Sequence, residues 1–313
     1  MSIINYLEPD SRWSLWHCKT NEEFIEKFLV KGKFHKDVPE DVIKEYTTVE
    51  HLVAHSFYYY PMFDEAFSKT TRIFEMAVKL RCDQLGVKPS GKGFIPLNNY
   101  ISALKEYYGD ISEDWENEKK LRNLFAHPEK HFFMGPINRF YAFQHFVNII
   151  NKLFSSREKL DEVKNNTIEL ANKFKNFKKG IFILDSEDKL FVIERVVPHI
   201  CIYKNEKSYS FWEFRPILTK FPQTMDEYST INPLYRIIEN LEFKDNTISG
   251  LDAKSNNHIK IYKSNSPIDN KVALNYKSMY TSSDERVKHV YEGHINNFIA
   301  QQLSLFEYEF CWD

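Results

Sequence analysis

The feature that most constrains the fold is a change in hydrophobic periodicity near residues 178–181. Before this point, apolar side chains recur at the three- and four-residue spacing of amphipathic helices. After Gly180, short β-branched and aromatic runs such as IFIL, KLFVIE and YSFWEF alternate with polar turns, which is typical of antiparallel strands. The sequence therefore predicts an α+β protein. We expect an antiparallel helical bundle over 1–178, followed by a smaller antiparallel β-containing domain over 179–313 with a C-terminal helix.

Apolar spacing, turn residues and prolines place the individual elements. Helices are predicted over 21–30, 41–59, 64–85, 97–108, 112–126 and 136–177, the last with a possible break at Ser155-Ser156. The strand-like runs after residue 180 are followed by a short predicted helix over 234–240, strands near 241–248 and 258–262, and a final helix over 284–305.

The charge balance excludes one class of nucleic-acid binder. The chain of 313 residues carries 42 basic and 44 acidic side chains, so no overall positive field attracts nucleic acid, and any RNA contact must be local. The first residues, MSIINYLEPD, lack the basic and apolar regions of a signal peptide. No run approaches the roughly 18 apolar residues that a membrane span needs. We expect a cytoplasmic protein without membrane contact.

Neither a metal nor another cofactor is expected. The four cysteines have no CxxC spacing: Cys18, Cys82, Cys201 and Cys311. His51 and His55 are four residues apart, but the glutamate of the zinc-binding HExxH pattern is absent, and we interpret them as ordinary helix residues. The sequence also lacks a P-loop and a glycine-rich dinucleotide motif. A metal-dependent hydrolase is therefore disfavoured.

The informative segment is KKLRNLFAHPEKH, which contains Arg122, Asn123 and His127 near the end of a predicted helix. On a helix, Asn123 and His127 share a face, whereas Arg122 lies roughly 140° from His127 and needs its long side chain to converge with it. Histidine titrates near neutral pH and serves as a general base or acid. Arginine is a permanent cation that matches phosphate oxygens. The three side chains suit cleavage of RNA through its own 2′-hydroxyl.

This segment resembles the HEPN superfamily, whose signature is an Arg, a polar residue that is often Asn, and then a His near the end of a bundle helix. The resemblance implies a metal-independent endoribonuclease of the kind found in bacterial toxin, abortive-infection or antiphage systems. It implies that Arg122 and His127 are catalytic, that Asn123 assists, and that a homodimer forms a composite site on RNA. An antitoxin or regulatory protein is a possible further partner. The C-terminal half would sense a trigger, recruit substrate or restrain the nuclease.

Alternatives remain open for this motif. The same Arg-to-His spacing occurs at Arg12 and His17, and Arg139 and His145 fit a looser version of it. A purely structural interpretation has Arg122 paired with an acidic side chain, Asn123 capping the helix and His127 favoured by the helix dipole. A further alternative is a catalytically inactive HEPN-like module for dimerisation or RNA binding, which recognises a partner through its C-terminal domain.

Two groups of residues are possible contributors. Glu75 lies four residues before Lys79, and a surface ion pair between them is the favoured interpretation over a role in the site. His131 follows His127 by four residues, although Pro128 argues against a shared helical face. A basic run is a candidate RNA contact, with a solvated helix face as the default. Its members are Lys173, Lys175, Lys178 and Lys179.

Overall fold

A computed structural model gives the fold, and it describes residues 6–91, 93–108, 136–177, 180–187, 189–222, 227, 233–244 and 246–312, apart from the side chains at 138 and 176. The chain is α+β, as predicted. It divides into two compact units, the first comprising Met1–Arg157 with Glu307–Asp313 and the second comprising Glu158–Phe306. The first unit therefore contains both a long N-terminal stretch and a short C-terminal one.

The described part of the first unit is helical. Its α-helices are α1 (Asn21–Phe28), α2 (Glu40–His55), α3 (Pro61–Leu85), α4 (Leu97–Tyr108) and α5 (Pro136–Phe154). A 3₁₀ helix, Ser11–Trp16, precedes them, and a π-helical turn, Glu307–Cys311, ends the unit. These bounds agree within a few residues with the predicted helices, and the predicted break at Ser155-Ser156 separates α5 from the next helix. The helix predicted over 112–126 lies outside the described residues.

Helix α3 has clear local signals at both ends. Pro61 occupies its first turn, where a missing backbone N–H costs no intrahelical hydrogen bond. Gly86 follows its last residue with a φ of 65°, a left-handed conformation that glycine adopts without a steric penalty. The buried positions of α3 recur from Phe63 to Cys82, so the helix presents a continuous apolar stripe to its neighbours.

An aromatic cluster forms the core between the N-terminal segment and the helices. Trp13 is fully buried, and its ring lies 4.5 Å from that of Phe24 and 4.9 Å from that of Tyr60. The indole Nε1–H donates to the Ser56 carbonyl at 2.8 Å, so burial leaves no polar atom of the ring unsatisfied. Phe143 of α5 packs against the same cluster through Phe63.

Helices α3 and α5 run in the same direction. Near their first turns, Arg139 of α5 forms an ion pair with Asp64 of α3. Near their ends, Nη2 of Arg81 donates to the Ser155 carbonyl, 3.0 Å away. Helices α2 and α3, joined by the short connection 56–60, form an antiparallel pair. The antiparallel arrangement that the sequence predicts for the whole bundle therefore does not hold for α3 and α5.

The second unit contains a six-stranded sheet, counted over the described residues, with three helices. Its strands are β1 (Phe182–Ser186), β2 (Lys189–Lys204), β3 (Lys207–Pro216), β4 (Leu234–Lys244), β5 (Thr247–Asp252) and β6 (His258–Lys263). Its helices are α6 (Arg157–Phe174), α7 (Pro267–Ser282) and α8 (Glu285–Phe306). Each strand pairs antiparallel with the next, and β1 also pairs with β6, so the sheet closes on itself.

Helix α6 supplies part of the core inside the closed sheet. The end of α6 and the 3₁₀ turn after it contribute Leu170, Phe174 and Phe177. These side chains are buried in one cluster with strand residues, among them Trp212 and Ile261. This packing explains why the second unit begins at Glu158, whereas the domain boundary predicted from the sequence lies at 178. The helical periodicity continues through α6, but its apolar face belongs to the sheet.

The short helix predicted over 234–240 is wrong, because these residues belong to strand β4. Leu234, Ile238 and Leu241 have the spacing of a helical face. In the structure, a bulge shifts the register between Glu239 and Glu242, and Leu241 packs against the same core as Ile238. A bulge adds one residue to the two-residue alternation of a strand, which here produces a helix-like spacing.

Helix α7 was not predicted, whereas the predicted final helix is confirmed as α8. Only Tyr276 is buried along α7, so its sequence has no continuous apolar stripe from which a helix can be inferred. Its boundaries follow local signals instead, since the Ser266 side chain caps the first turn by accepting from the Ile268 N–H and Pro267 begins the helix.

We expect Phe174→Ala to destabilise the second unit by about 3–5 kcal/mol, because it leaves a cavity in the closed core. The Phe174 ring lies 5.4 Å from that of Trp212, and Phe174 is 2% exposed. Urea unfolding followed by near-UV circular dichroism measures the change. Lys173→Ala, one residue away and exposed, is the control and should change stability by less than about 0.5 kcal/mol. Equal effects of the two substitutions would contradict the packing role.

Candidate functional site

The predicted catalytic residues Arg122, Asn123 and His127, together with His131, lie outside the described residues. Two of the four basic candidates, Lys178 and Lys179, lie outside them as well. The structure describes the helices on either side of this segment, α4 and α5, and the helix α3 on which both pack. Distances and contacts can therefore be given for the helices around the motif, and not for the motif itself.

Helix α4 ends at Tyr108, whose position is fixed by hydrogen bonds to two helices. Its hydroxyl accepts from Nε of Arg81 on α3 at 2.7 Å and donates to the Leu153 carbonyl at the end of α5, 3.1 Å away. Burial raises the pKa of Tyr108, so the hydroxyl stays protonated and keeps its donor role. The chain thus enters residues 109–135 from a point fixed near the C-terminal half of α3.

Helix α5 begins beside the opposite end of α3. Arg139, in its first turn, is 2% exposed and pairs with Asp64. From Asp64 to Arg81 an α-helix rises about 25 Å. The two anchor points that precede and follow residues 109–135 are therefore separated by most of the length of α3.

Glu75 lies between these anchor points on α3, in the ion pair that the sequence favoured. Its Oε1 is 2.8 Å from Nζ of Lys79, and its side chain is 23% exposed. The pair borders a surface groove along one face of the helix. The described residues that line the groove are Arg72, Glu75, Met76, Lys79, Leu80 and Asp83. The i,i+4 pair is thus formed, and it stands beside a groove of mixed charge.

The described basic candidates belong to the second unit. Lys173 pairs with Glu169 at 2.6 Å, and this hydrogen bond raises the pKa of the lysine. Lys175 is exposed in the 3₁₀ turn Lys175–Phe177. Lys173 has the solvated, paired character of an ordinary helix face.

The two other arginines with a histidine at similar spacing are both engaged with aspartates. Arg12 donates to both oxygens of Asp10, from Nε at 2.8 Å and from Nη2 at 2.6 Å, and its guanidinium lies 4.3 Å from the centre of the Tyr60 ring. The hydrogen bond from Arg12 lowers the pKa of Asp10 to about 2. Arg139 is buried against Asp64. Both arginines have a structural role that explains their presence.

A Ser-His-Asp arrangement in the first unit resembles a hydrolase triad but does not have its hydrogen bonding. Ser155 Oγ lies 3.4 Å from Nε2 of His35, and Nδ1 of His35 lies 3.6 Å from Asp37. However, Nε2 is 2.9 Å from the Asn151 carbonyl, which can only accept, and Nδ1 accepts from the Asp37 N–H. The imidazole therefore has no lone pair for the serine proton. Ser155 is also 1% exposed.

The second unit contains a charged cluster that the sequence analysis missed. Glu213 on β3 accepts from Nε2 of His199 at 2.8 Å and from Nε of Arg215 at 2.7 Å. Arg215 also contacts Glu292 and Asn296 of α8. His199 and Glu213 are separated by a strand turn and share no sequence motif, so only the pairing of β2 with β3 reveals them. The cluster satisfies its own charges and joins two strands to a helix.

The surroundings of Glu213 in this cluster shift the pKa of its carboxyl group. Burial would raise its pKa, but hydrogen bonds from His199 and Arg215 outweigh burial and lower the pKa to about 2. A lowered pKa in the folded state means that the unfolded chain binds the proton first as the pH falls. The carboxylate therefore stabilises the fold above the ordinary glutamate pKa, and this contribution is lost as the pH approaches 2.

Comparison with known proteins adds no family assignment. No family model, curated protein or solved structure matches the chain. None of the helices within the described ranges combines the length and apolar character of a membrane span. In the same ranges, no three His, Cys, Asp or Glu side chains converge as metal ligands would. The resemblance to the HEPN superfamily rests on the residues of the motif.

We expect Glu213→Gln to lower the free energy of unfolding of the second unit at pH 7 and to flatten its acid dependence. The contribution lost is on the order of 3 kcal/mol, because the pKa of Glu213 is lowered from the ordinary glutamate value to about 2. The stability difference between the two proteins should therefore shrink between pH 4.5 and pH 2. Urea unfolding at several pH values measures it. A difference that stays constant over this range would show that Glu213 is not ionised in the fold.

Proposed function

We propose that the protein is a metal-independent endoribonuclease that cleaves RNA by attack of the 2′-hydroxyl on the adjacent phosphate. The observation that carries the proposal is the segment RNLFAHP, in which Arg122, Asn123 and His127 have the spacing of the HEPN signature. His127 accepts the proton of the 2′-hydroxyl. Arg122 stabilises the charge that develops on the phosphate oxygens. Asn123 orients the histidine or the phosphate by hydrogen bonds.

The described helices support this proposal by their arrangement around the motif. The anchors of residues 109–135, at Arg81 and Asp64, are separated by about 25 Å along α3. A helix over 112–126, as the sequence predicts, would be about 22 Å long and would match this separation. The motif lies at the end of that predicted helix. The chain must return from the end of α4, beside Arg81, to the start of α5, beside Asp64. The predicted helix has the length of this return.

The contacts of the two other arginines with a similar spacing to a histidine also support the proposal. Arg12 and Arg139 are each neutralised by an aspartate. An arginine in that state contributes little to binding a phosphate, because its positive charge and its donors are already used. Of the three spacings found in the sequence, two are thereby explained by structure, and the RNxxxH segment is the one with the complete signature.

As part of the same proposal, the site acts in a homodimer within a bacterial toxin or antiphage system. One motif supplies one imidazole, whereas cleavage needs both a base and an acid, so two copies of the chain would complete a composite site. The second unit then has an accessory role, such as sensing a trigger, recruiting RNA or binding an inhibitory partner. Sedimentation velocity tests the oligomeric state independently of catalysis.

We expect purified protein to cleave total cellular RNA in the presence of EDTA and to leave 2′,3′-cyclic phosphate ends. Arg122→Ala and His127→Asn should each lower the rate by about a hundredfold or more, because each removes a group that acts in the transition state. Gel electrophoresis of the RNA and end analysis of the products measure the outcome. Inhibition by EDTA would exclude the metal-independent mechanism.

The matched control is His17→Asn, because Arg12 and His17 have the same spacing as Arg122 and His127. His17 is exposed and has a φ of 57°, a left-handed conformation that asparagine adopts more readily than alanine. This variant should therefore fold and cleave like the wild type. An equal loss of activity in His17→Asn would overturn the assignment to Arg122 and His127. RNA binding without cleavage by the wild type would instead favour the non-catalytic RNA-binding module.

A further inference from the structure

The chain crosses from the second unit back to the first between Phe306 and Glu307. Phe306, the last residue of α8, is fully buried, and its ring lies 5.9 Å from that of Phe211 on β3. Two residues later, the Tyr308 hydroxyl donates to the Lys31 carbonyl at 2.8 Å. Two residues span at most about 7 Å even when extended. The end of α8 is therefore fixed on each side of the crossing by a buried aromatic side chain.

The segment Glu307–Trp312, here called the C-terminal strap, is anchored in the first unit by several different contacts. Glu307 pairs with Lys152 of α5 at 2.9 Å. Trp312 donates from Nε1 to Asn148 Oδ1 of α5 at 2.7 Å. Tyr308 and Trp312 are 8% and 7% exposed. One of these contacts is a directional hydrogen bond to the fully buried Asn148, so the strap has a defined position on α5.

The loop that the strap covers is itself held by α5. The N–H of His35 donates to Asn151 Oδ1 at 2.9 Å, and Asn151 Nδ2 donates to the Lys33 carbonyl at 2.8 Å. Lys33 also lies with its Nζ 4.6 Å from the centre of the Tyr308 ring. The strap and α5 thus both hold this loop, the strap through the Tyr308–Lys31 bond and α5 through Asn151, and displacement of the strap exposes the Lys31 carbonyl.

Polar contacts also fix α8 on the sheet of the second unit. Arg215 of β3 pairs with Glu292 and donates from Nη2 to Asn296 Oδ1 at 3.2 Å. The Tyr280 hydroxyl of α7 donates to Glu292 at 3.4 Å. Each of these contacts depends on charge or hydrogen bonding at a partly exposed surface, so a ligand or partner that competes for Arg215 changes how α8 is held.

We propose that the C-terminal strap couples α8 of the second unit to α5 and the loop 30–38 of the first, so that loosening α8 loosens the fold around α5. The coupling goes beyond the ribonuclease activity and does not require it. It gives the second unit a physical route to influence the helix that directly follows the predicted catalytic segment. Because the strap follows α8 directly in the chain, a displacement of α8 is transmitted to the strap through the backbone.

Hydrogen exchange of the full-length protein tests this coupling. The double variant Glu292→Ala, Asn296→Ala removes the partners of Arg215 on α8. It should accelerate exchange about tenfold at amides of 31–38 and 147–155, comparable to the loss of one hydrogen bond to a charged group. Insertion of a flexible Gly-Ser linker between Phe306 and Glu307 keeps every strap residue but interrupts the continuous helix. In that background the double variant should no longer affect these amides.

The same linker placed in the β2–β3 turn at Asn205-Glu206 is the control, and it should leave the effect of the double variant intact. Coupling between two sites is reciprocal, so Trp312→Phe, which removes the hydrogen bond to Asn148 without removing the buried ring, should accelerate exchange in the C-terminal half of α8. An effect of the double variant confined to the second unit, or one that persists after interruption of the strap, would overturn the proposal. If the double variant does not fold, the Trp312→Phe result alone decides.

Discussion

The helical unit depends on the packing of α3, because every other long helix described in that unit contacts it. Buried side chains recur along α3 from Phe63 to Cys82, and polar contacts fix its neighbours at two heights. Asp64 holds the start of α5, and Arg81 holds the end of α4. A close-packed helix with charged groups at both ends of its apolar stripe sets both the spacing and the direction of its neighbours. The surroundings of the predicted catalytic segment are a consequence of this arrangement.

The second unit depends on a different constraint, which is the hydrogen bonding of its strands at both edges. Because β1 pairs with both β2 and β6, none of the described strands presents a free edge for pairing with another chain. A closed sheet this small must fill its interior with side chains. Phe174 of α6 and Phe177 of the 3₁₀ turn that follows contribute to that interior. Bulges in β2 and β4 bend the strands. One register shift of β2 lies at His199, which contacts Glu213.

The sequence predicted those elements whose own periodicity matches their burial. Helix α3 and the final helix α8 are examples, as is the change from helices to strands near residue 180. It failed where a long-range contact decides the structure: the bulge in β4 produced a helical spacing, and α7 buries only Tyr276. For the candidate site, the Glu75–Lys79 pair was predictable from local spacing. The Glu213–His199 pair was not, because strand pairing alone brings those residues together.

The discontinuity of the first unit has a consequence for biosynthesis. The ribosome makes α1 to α5 first, then the whole closed sheet and α8, and only then the strap with Tyr308 and Trp312. Multidomain chains commonly fold from the N-terminus as they emerge, but here the partners of Asn148 and Lys31 are synthesised after the second unit. The helical unit therefore reaches its finished state only after the second unit has been made. Any activity that needs the finished helical unit must therefore wait until the second unit has been synthesised.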